Sequence, residues 1–157
     1  MKVTNTFIRV AEDCPAVMGL VPAVDEGKTS IARLHYEILT QHPYEFDIEA
    51  FNFEVFCRKN AIPDERRDVY FDAFKLKSHP CMRTSPLTKT FGFGAHYNSA
   101  GKIAIYPVDS KAYQKFLLDP NIRIEMAMRK RRAKNQVLGQ TTGANPSLRP
   151  KTLQSCS

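Results

Sequence analysis

Hydrophobic and polar positions change period several times along the chain, and each change marks an element. Thr6-Phe7-Ile8-Arg9-Val10-Ala11 is rich in β-branched and aromatic residues and stops at Glu12-Asp13-Cys14-Pro15, which predicts a first strand. Residues 15–28 carry Pro15, Gly19, Pro22 and Gly27 and read as a loop. From Thr29 or Ser30, either an acceptable N-cap, Ile31, Leu34, Ile38 and Leu39 recur at helical spacing until His42-Pro43. Asp47 offers another cap before Ile48, Phe51 and Val55. Phe51, Phe53 and Val55 also alternate as a strand would, and of the two readings helix is preferred. Pro63 suits the first turn of a third helix running to about Ser78. Asp64 and Glu65 favour its positive end, and Val69, Tyr70, Ala73, Phe74 and Leu76 supply a buried stripe.

Between Phe91 and Tyr106 two independent signals coincide. If Asn98 pairs with Lys102, the loop is Ser99-Ala100-Gly101, a three-residue hairpin turn with glycine at the left-handed position. That register puts Phe93, Ala95, Tyr97, Ile103 and Ile105 on one apolar face, and Gly94, His96, Ala104 and Tyr106 on the other. Beyond Pro107, Ser110 can cap a short helix through Tyr113, Phe116 and Leu117, and Ile122, Ile124 and Met126 alternate as a last strand. The resulting order predicts an α+β domain over residues 1–133, a ferredoxin-like βαββαβ sandwich with an enlarged first helical segment. From residue 134 to 157, Gly, Asn, Ser, Thr, Pro and Gln without periodicity predict a disordered basic tail.

Charge changes the picture only at that tail. The net charge of +7 suggests nucleic acid, yet residues 1–125 contain 16 Lys+Arg and 16 Asp+Glu, and the excess begins at Arg129. The run Arg129-Lys130-Arg131-Arg132-Ala133-Lys134 could bind phosphate backbones or act as a nuclear address. The neutral body offers no complementary groove, and no aromatic residues interleave the run, which argues against nucleic acid and for a solvated segment. No apolar run approaches the roughly 20 residues a bilayer crossing needs, so no membrane partner is expected. The N-terminus lacks the apolar core of a secretory signal, and Cys14, Cys57, Cys81 and Cys156 include no C-x-x-C pair. A cytoplasmic protein with reduced thiols, no metal site and no cofactor is the expectation.

The densest set of functional groups is Pro80-Cys81-Met82-Arg83-Thr84-Ser85-Pro86-Leu87-Thr88-Lys89, leading into the strand with Gly92, Gly94 and His96. Glycines at alternate strand positions leave one sheet face bare for a ligand or another backbone, with His96 on that face and Tyr106 beside it. Two chemistries fit. Cys81 could act as nucleophile or acid–base group, its thiolate favoured by Arg83 or Lys89 and His96 accepting the proton. Alternatively Arg83, Ser85 and Lys89 form an anion site for carboxylate or phosphate. Against these stand bland readings, a small buried thiol anchoring a loop and a hydrogen-bonded histidine on a sheet. Glu12 and Asp13, at the end of the first strand, could serve as a general base or a counter-charge for Arg83, or simply cap a turn. Gly92-Phe93-Gly94 has neither Walker spacing nor a dinucleotide fingerprint.

A set of local motifs carries a resemblance. They are Asn5-Thr6-Phe7-Ile8, Ala11-Glu12-Asp13-Cys14-Pro15, Lys28-Thr29, Tyr36-Glu37, Pro43-Tyr44, Phe53-Glu54-Val55, and Pro80-Cys81-x-Arg83-x-Ser85-Pro86-Leu87-x-Lys89-x-x-Gly92-x-Gly94-x-His96. Over about residues 5–132 the chain resembles a family of small bacterial and fungal proteins of unknown function. The resemblance singles out residues and implies no reaction. The sequence therefore predicts a domain that binds a small or anionic molecule, leaning towards a cofactor-independent enzyme. A non-catalytic interaction module using the second and third helices is the alternative, and nucleic-acid binding through the tail the third.

Overall fold

In the computed structural model, which describes residues 2–24 and 26–130, the first strand is β1, Thr6–Arg9. Phe7 and Ile8 point to opposite faces and both are buried, because helices cover the sheet on both sides. The strand ends before the expected Ala11, whose N–H leaves the ladder for Thr88 O at 2.9 Å.

Capping residues set the helices. Ser30 Oγ accepts from Arg33 N–H and opens α1, Ile31–Gln41, which buries Leu34, Ile38 and Leu39. Asp47 accepts from Ala50 N–H and opens α2, Ile48–Lys59, in favour of helix over strand. The misleading alternation arises because α2 is apolar on two sides. Phe51 and Val55 turn to the core, whereas Phe53 and Phe56 meet the rings of Phe71 and Phe74. The third helical segment is shorter than expected, a 3-10 turn over Asp64–Arg66 followed by α3, Arg67–Phe74. Of its predicted stripe Phe74 is buried, but Val69 is 67% and Leu76 86% exposed. α2 already occupies the sheet, so α3 has only α2 to pack on, through aromatic rings and the Arg67–Glu54 ion pair at 2.7 Å.

The 80–89 segment carries a 3-10 turn, Met82–Thr84, and a short helix α4, Pro86–Lys89, capped by Ser85 with proline at its first position. Then follow β2, Phe93–Tyr97, and β3, Ile103–Pro107, in the predicted register, Gly94 opposite Tyr106 and His96 opposite Ala104. Gly101 supplies the left-handed turn residue at φ +79°. α5, Lys111–Leu118, is capped by Ser110, and β4, Arg123–Met126, completes the sheet.

The domain is α+β with a four-stranded mixed sheet in the order β3-β2-β1-β4. It departs from a ferredoxin-like sandwich, which is antiparallel throughout and puts the third strand beside the first. Here β2 itself pairs antiparallel with β1, and β4 runs parallel to it. The helical insertion explains the difference. α1 carries the chain from the C-terminal end of β1 to the opposite end of the sheet, where Tyr44 and Phe46 bond to Ile103 at the start of β3. α2 then returns it, so the next strand must enter from the end where β1 finished and run against it. One helix would have delivered a parallel strand. The expected tail, residues 134–157, lies outside the described residues. Among the described residues no helix is long and apolar enough to cross a membrane.

Candidate functional site

Cys81, Ser85 and the residues around them sit where the 79–89 segment crosses the α1/α2 side of the sheet. Asn52 on α2 donates to Pro80 O at 2.7 Å, Met82 N–H donates to Tyr97 OH at 3.2 Å, and the Met82 side chain is driven into the core. Thr88 Oγ1 closes the turn by donating to Met82 O at 2.7 Å. With Met82 inward, Cys81 faces out, and its thiol is exposed. Between this segment and α1 and α2 lies a cleft of about 240 Å³. Its walls are largely apolar, with Ile31, Phe51, Val55 and Phe74 prominent, and its polar groups are His35, Asn52, His79, Cys81, Thr84 and Ser85.

His35 and Ser85 form its floor. His35 is 8% exposed and Ser85 2%, and Nδ1 of the ring lies 2.8 Å from Ser85 Oγ. Burial pushes the imidazole down to about 4, so it is neutral at physiological pH. The hydrogen-bond network fixes the tautomer. Ser85 Oγ already accepts Leu87 N–H at 3.2 Å, so its own proton goes to Nδ1 and the ring proton sits on Nε2. The reverse arrangement would leave the proton of the buried Ser85 hydroxyl without an acceptor, at a cost of roughly 1–3 kcal/mol, whereas Nε2 is not sealed and can give its proton to whatever occupies the cleft. Ser85 is not set up for acyl transfer. Its own N–H is bound to Met82 O, the next residue is proline, and Leu87 N–H is spent on the hydroxyl, so no pair of amides awaits an oxyanion. On the outer wall His79 stacks on Phe74 with centroids 3.7 Å apart, its Nε2–H donating to Phe74 O at 2.6 Å.

The remaining predicted residues lie elsewhere. Arg83 clamps the end of β4, Nε donating to Met126 O at 2.9 Å while its carbonyl accepts Met128 N–H at 2.8 Å. Lys89 closes the last turn of α4 and does not line the cleft. The anion site of Arg83, Ser85 and Lys89 is therefore not assembled. Glu12 is ion-paired with Arg129, and Asp13 accepts Lys130 N–H at 2.8 Å, so these acids hold the chain after β4.

The glycine face is not bare. A Cβ on Gly94 would collide with the Phe7 ring and come within 2.7 Å of Tyr113, because α5 lays its aromatic residues there. Gly92 instead lies against the Met18 carbonyl. His96 stacks on Phe116 with centroids 4.3 Å apart. Its Nδ1 is 2.8 Å from Tyr44 OH, which in turn bonds Tyr106 OH at 2.7 Å. Burial lowers the His96 pKa, opposed by Asp119, and raises that of Tyr44, so the imidazole and the Tyr44 hydroxyl are uncharged at neutral pH. Tyr106 is thus linked to His96 as predicted, but Cys81 and Ser85 are on the other side of the sheet. The convergence of sulfur, guanidinium and imidazole does not form, because alternation sends Ala95 and Tyr97 to one face and His96 to the other.

Sequence reasoning passed over His35, Asn52 and His79, and met Tyr44 only as part of the Pro43-Tyr44 motif. His35 left only a weak signal, a polar residue within the apolar stripe of α1.

A family of unknown function, DUF6157, matches residues 1–133. The chain belongs to the DUF6157 family. The DUF6157 match takes in the whole sheet, both helical layers and every residue of the cleft. Searches of the curated proteins and of the solved structures returned no match.

Proposed function

We propose that the domain binds a small molecule in the cleft beside Cys81. The observation that carries the reading is the composition of that cavity. An apolar wall from α1 and α2 surrounds a few polar groups gathered on one segment, the arrangement by which small-molecule sites combine burial with orientation. Cys81 is the exposed nucleophile at its rim, and His35 and His79 line the same space in the place where His96 was expected. Any chemistry without a cofactor would run through that thiol. The expectation of a cytoplasmic protein goes with this reading. Methyl-resolved NMR of the full chain against a small fragment library tests it. Hits should perturb Ile31, Val55 and Met82 together and slow alkylation of Cys81; a library without such hits sinks the proposal.

A non-catalytic interaction module keeps one supporting observation. Val69 on α3 and Leu76 just after it are exposed, and residues around them line a second cavity of about 460 Å³, bounded by Phe56, Tyr70, Ala73, Phe74, Lys77 and His79. Fragment shifts confined to Val69, Ala73 and Leu76 would favour it.

A further inference from the structure

Resting on the cleft reading above, we infer that the molecule bound there is uncharged and presents a carbonyl-type hydrogen-bond acceptor to Nε2–H of His35. Three observations lead to this. Nδ1 is engaged by Ser85 at 2.8 Å, which leaves the ring proton on Nε2. Among the described residues no group accepts from Nε2, although His35 is more than nine-tenths buried and lines the cavity. Nε2 is not among the sealed side-chain atoms that lack a partner, so it opens on the cleft, and whatever fills the space in front of it meets the ring proton.

The second observation is the absence of charge from the lining. Among the described residues, no Lys, Arg, Asp or Glu bounds the cleft. Arg83 and Lys89, which the sequence suggested for an anion, are outside it. A carboxylate or phosphate entering here would lose its water and meet no cation, and a cation would meet no carboxylate. A ketone, ester or amide carbonyl loses less on desolvation and accepts the ring proton directly.

Size is the third. About 240 Å³ is far more than the roughly 10–15 Å³ that holds one water, and leaves room for a ring with a short substituent. Phe51 meets the His35 ring edge-on at 4.8 Å, so an aromatic or alicyclic body beside the carbonyl finds an apolar wall.

The test is a matched pair of probes, acetophenone and α-methylstyrene, which have nearly the same shape and differ in replacing C=O by C=CH₂. Both are titrated into the full chain and followed by methyl NMR. Acetophenone should bind in the cleft roughly five- to tenfold more tightly, the worth of one buried hydrogen bond. In His35→Phe the two should bind alike. Equal binding of both probes to the wild type would overturn the acceptor inference and leave the cleft reading standing; no cleft shifts from either would overturn both. A check that does not depend on a variant is the ¹⁵N spectrum of the free His35 ring. A proton on Nε2 supports the inference, and a proton on Nδ1 refutes it.

Discussion

Protonating His35 should destabilise the fold, by an amount that follows from its surroundings. The ring is held near 4 in the folded chain by burial, against 6.5 when exposed. Between those values the unfolded chain binds a proton that the folded one refuses, so stability is fully present above about pH 6.5 and is lost as pH falls towards 4. At 1.36 kcal/mol per unit, the loss between neutrality and about pH 4.5 is roughly 2.5 kcal/mol from this residue alone. The assay is urea unfolding of the wild type and His35→Gln at several pH values. Glutamine does not titrate and can still accept the Ser85 proton through its carbonyl. His79 and Cys81, the other titratable groups of the lining, remain in both proteins, so the difference between the two pH curves isolates His35. The curves should diverge by about 2.5 kcal/mol as pH falls. Curves that stay parallel within about 0.5 kcal/mol would mean that the imidazole is solvated, and the tautomer argument would fall with it.

Other consequences are open to simple measurement. Gly94→Ala should destabilise the domain by about 1–3 kcal/mol through overpacking against Phe7 and Tyr113; a neutral effect in urea unfolding would mean that α5 leaves this face open. Tyr44→Phe removes the hydroxyl shared by His96 and Tyr106 and should cost roughly 1–3 kcal/mol, read as a fall in the unfolding midpoint. Iodoacetamide should modify Cys81 in the native protein and spare buried Cys57, with intact-protein and peptide mass spectrometry as the readout.

What was legible in the sequence was local. The hairpin register followed from alternation and from a loop length that only one pairing satisfies, and Ser30, Asp47 and Ser110 announced their helices because a cap is a contact over three residues. The strand order was not legible. It depends on α1 and α2 making a round trip along the sheet, a matter of long-range packing that no window of sequence contains. The stripe of α3 was buried only at Phe74 for a related reason: periodicity says which side of a helix is apolar, and Val69 and Leu76 show that it does not say whether anything covers that side.

The candidate site divides the same way. Cys81 and Ser85 were picked out by a dense segment and do line a cavity, whereas the partner assigned to them was wrong. A face with two glycines looks empty in sequence, but Phe7, Tyr113 and Phe116 come to it from distant elements and fill it. His35 was hidden by its own position, since a histidine among Ile31, Leu34 and Ile38 reads as part of the core until its bond to Ser85 is seen.

Which side of the sheet each group occupies can be read from one NOESY spectrum of the wild-type protein. His96 ring protons should give cross-peaks to Phe116 and Tyr44 and none to the β-protons of Cys81. Cross-peaks between Cys81 and His96 would put thiol and imidazole together on the hairpin and contradict the two-sided arrangement from which the cleft was deduced.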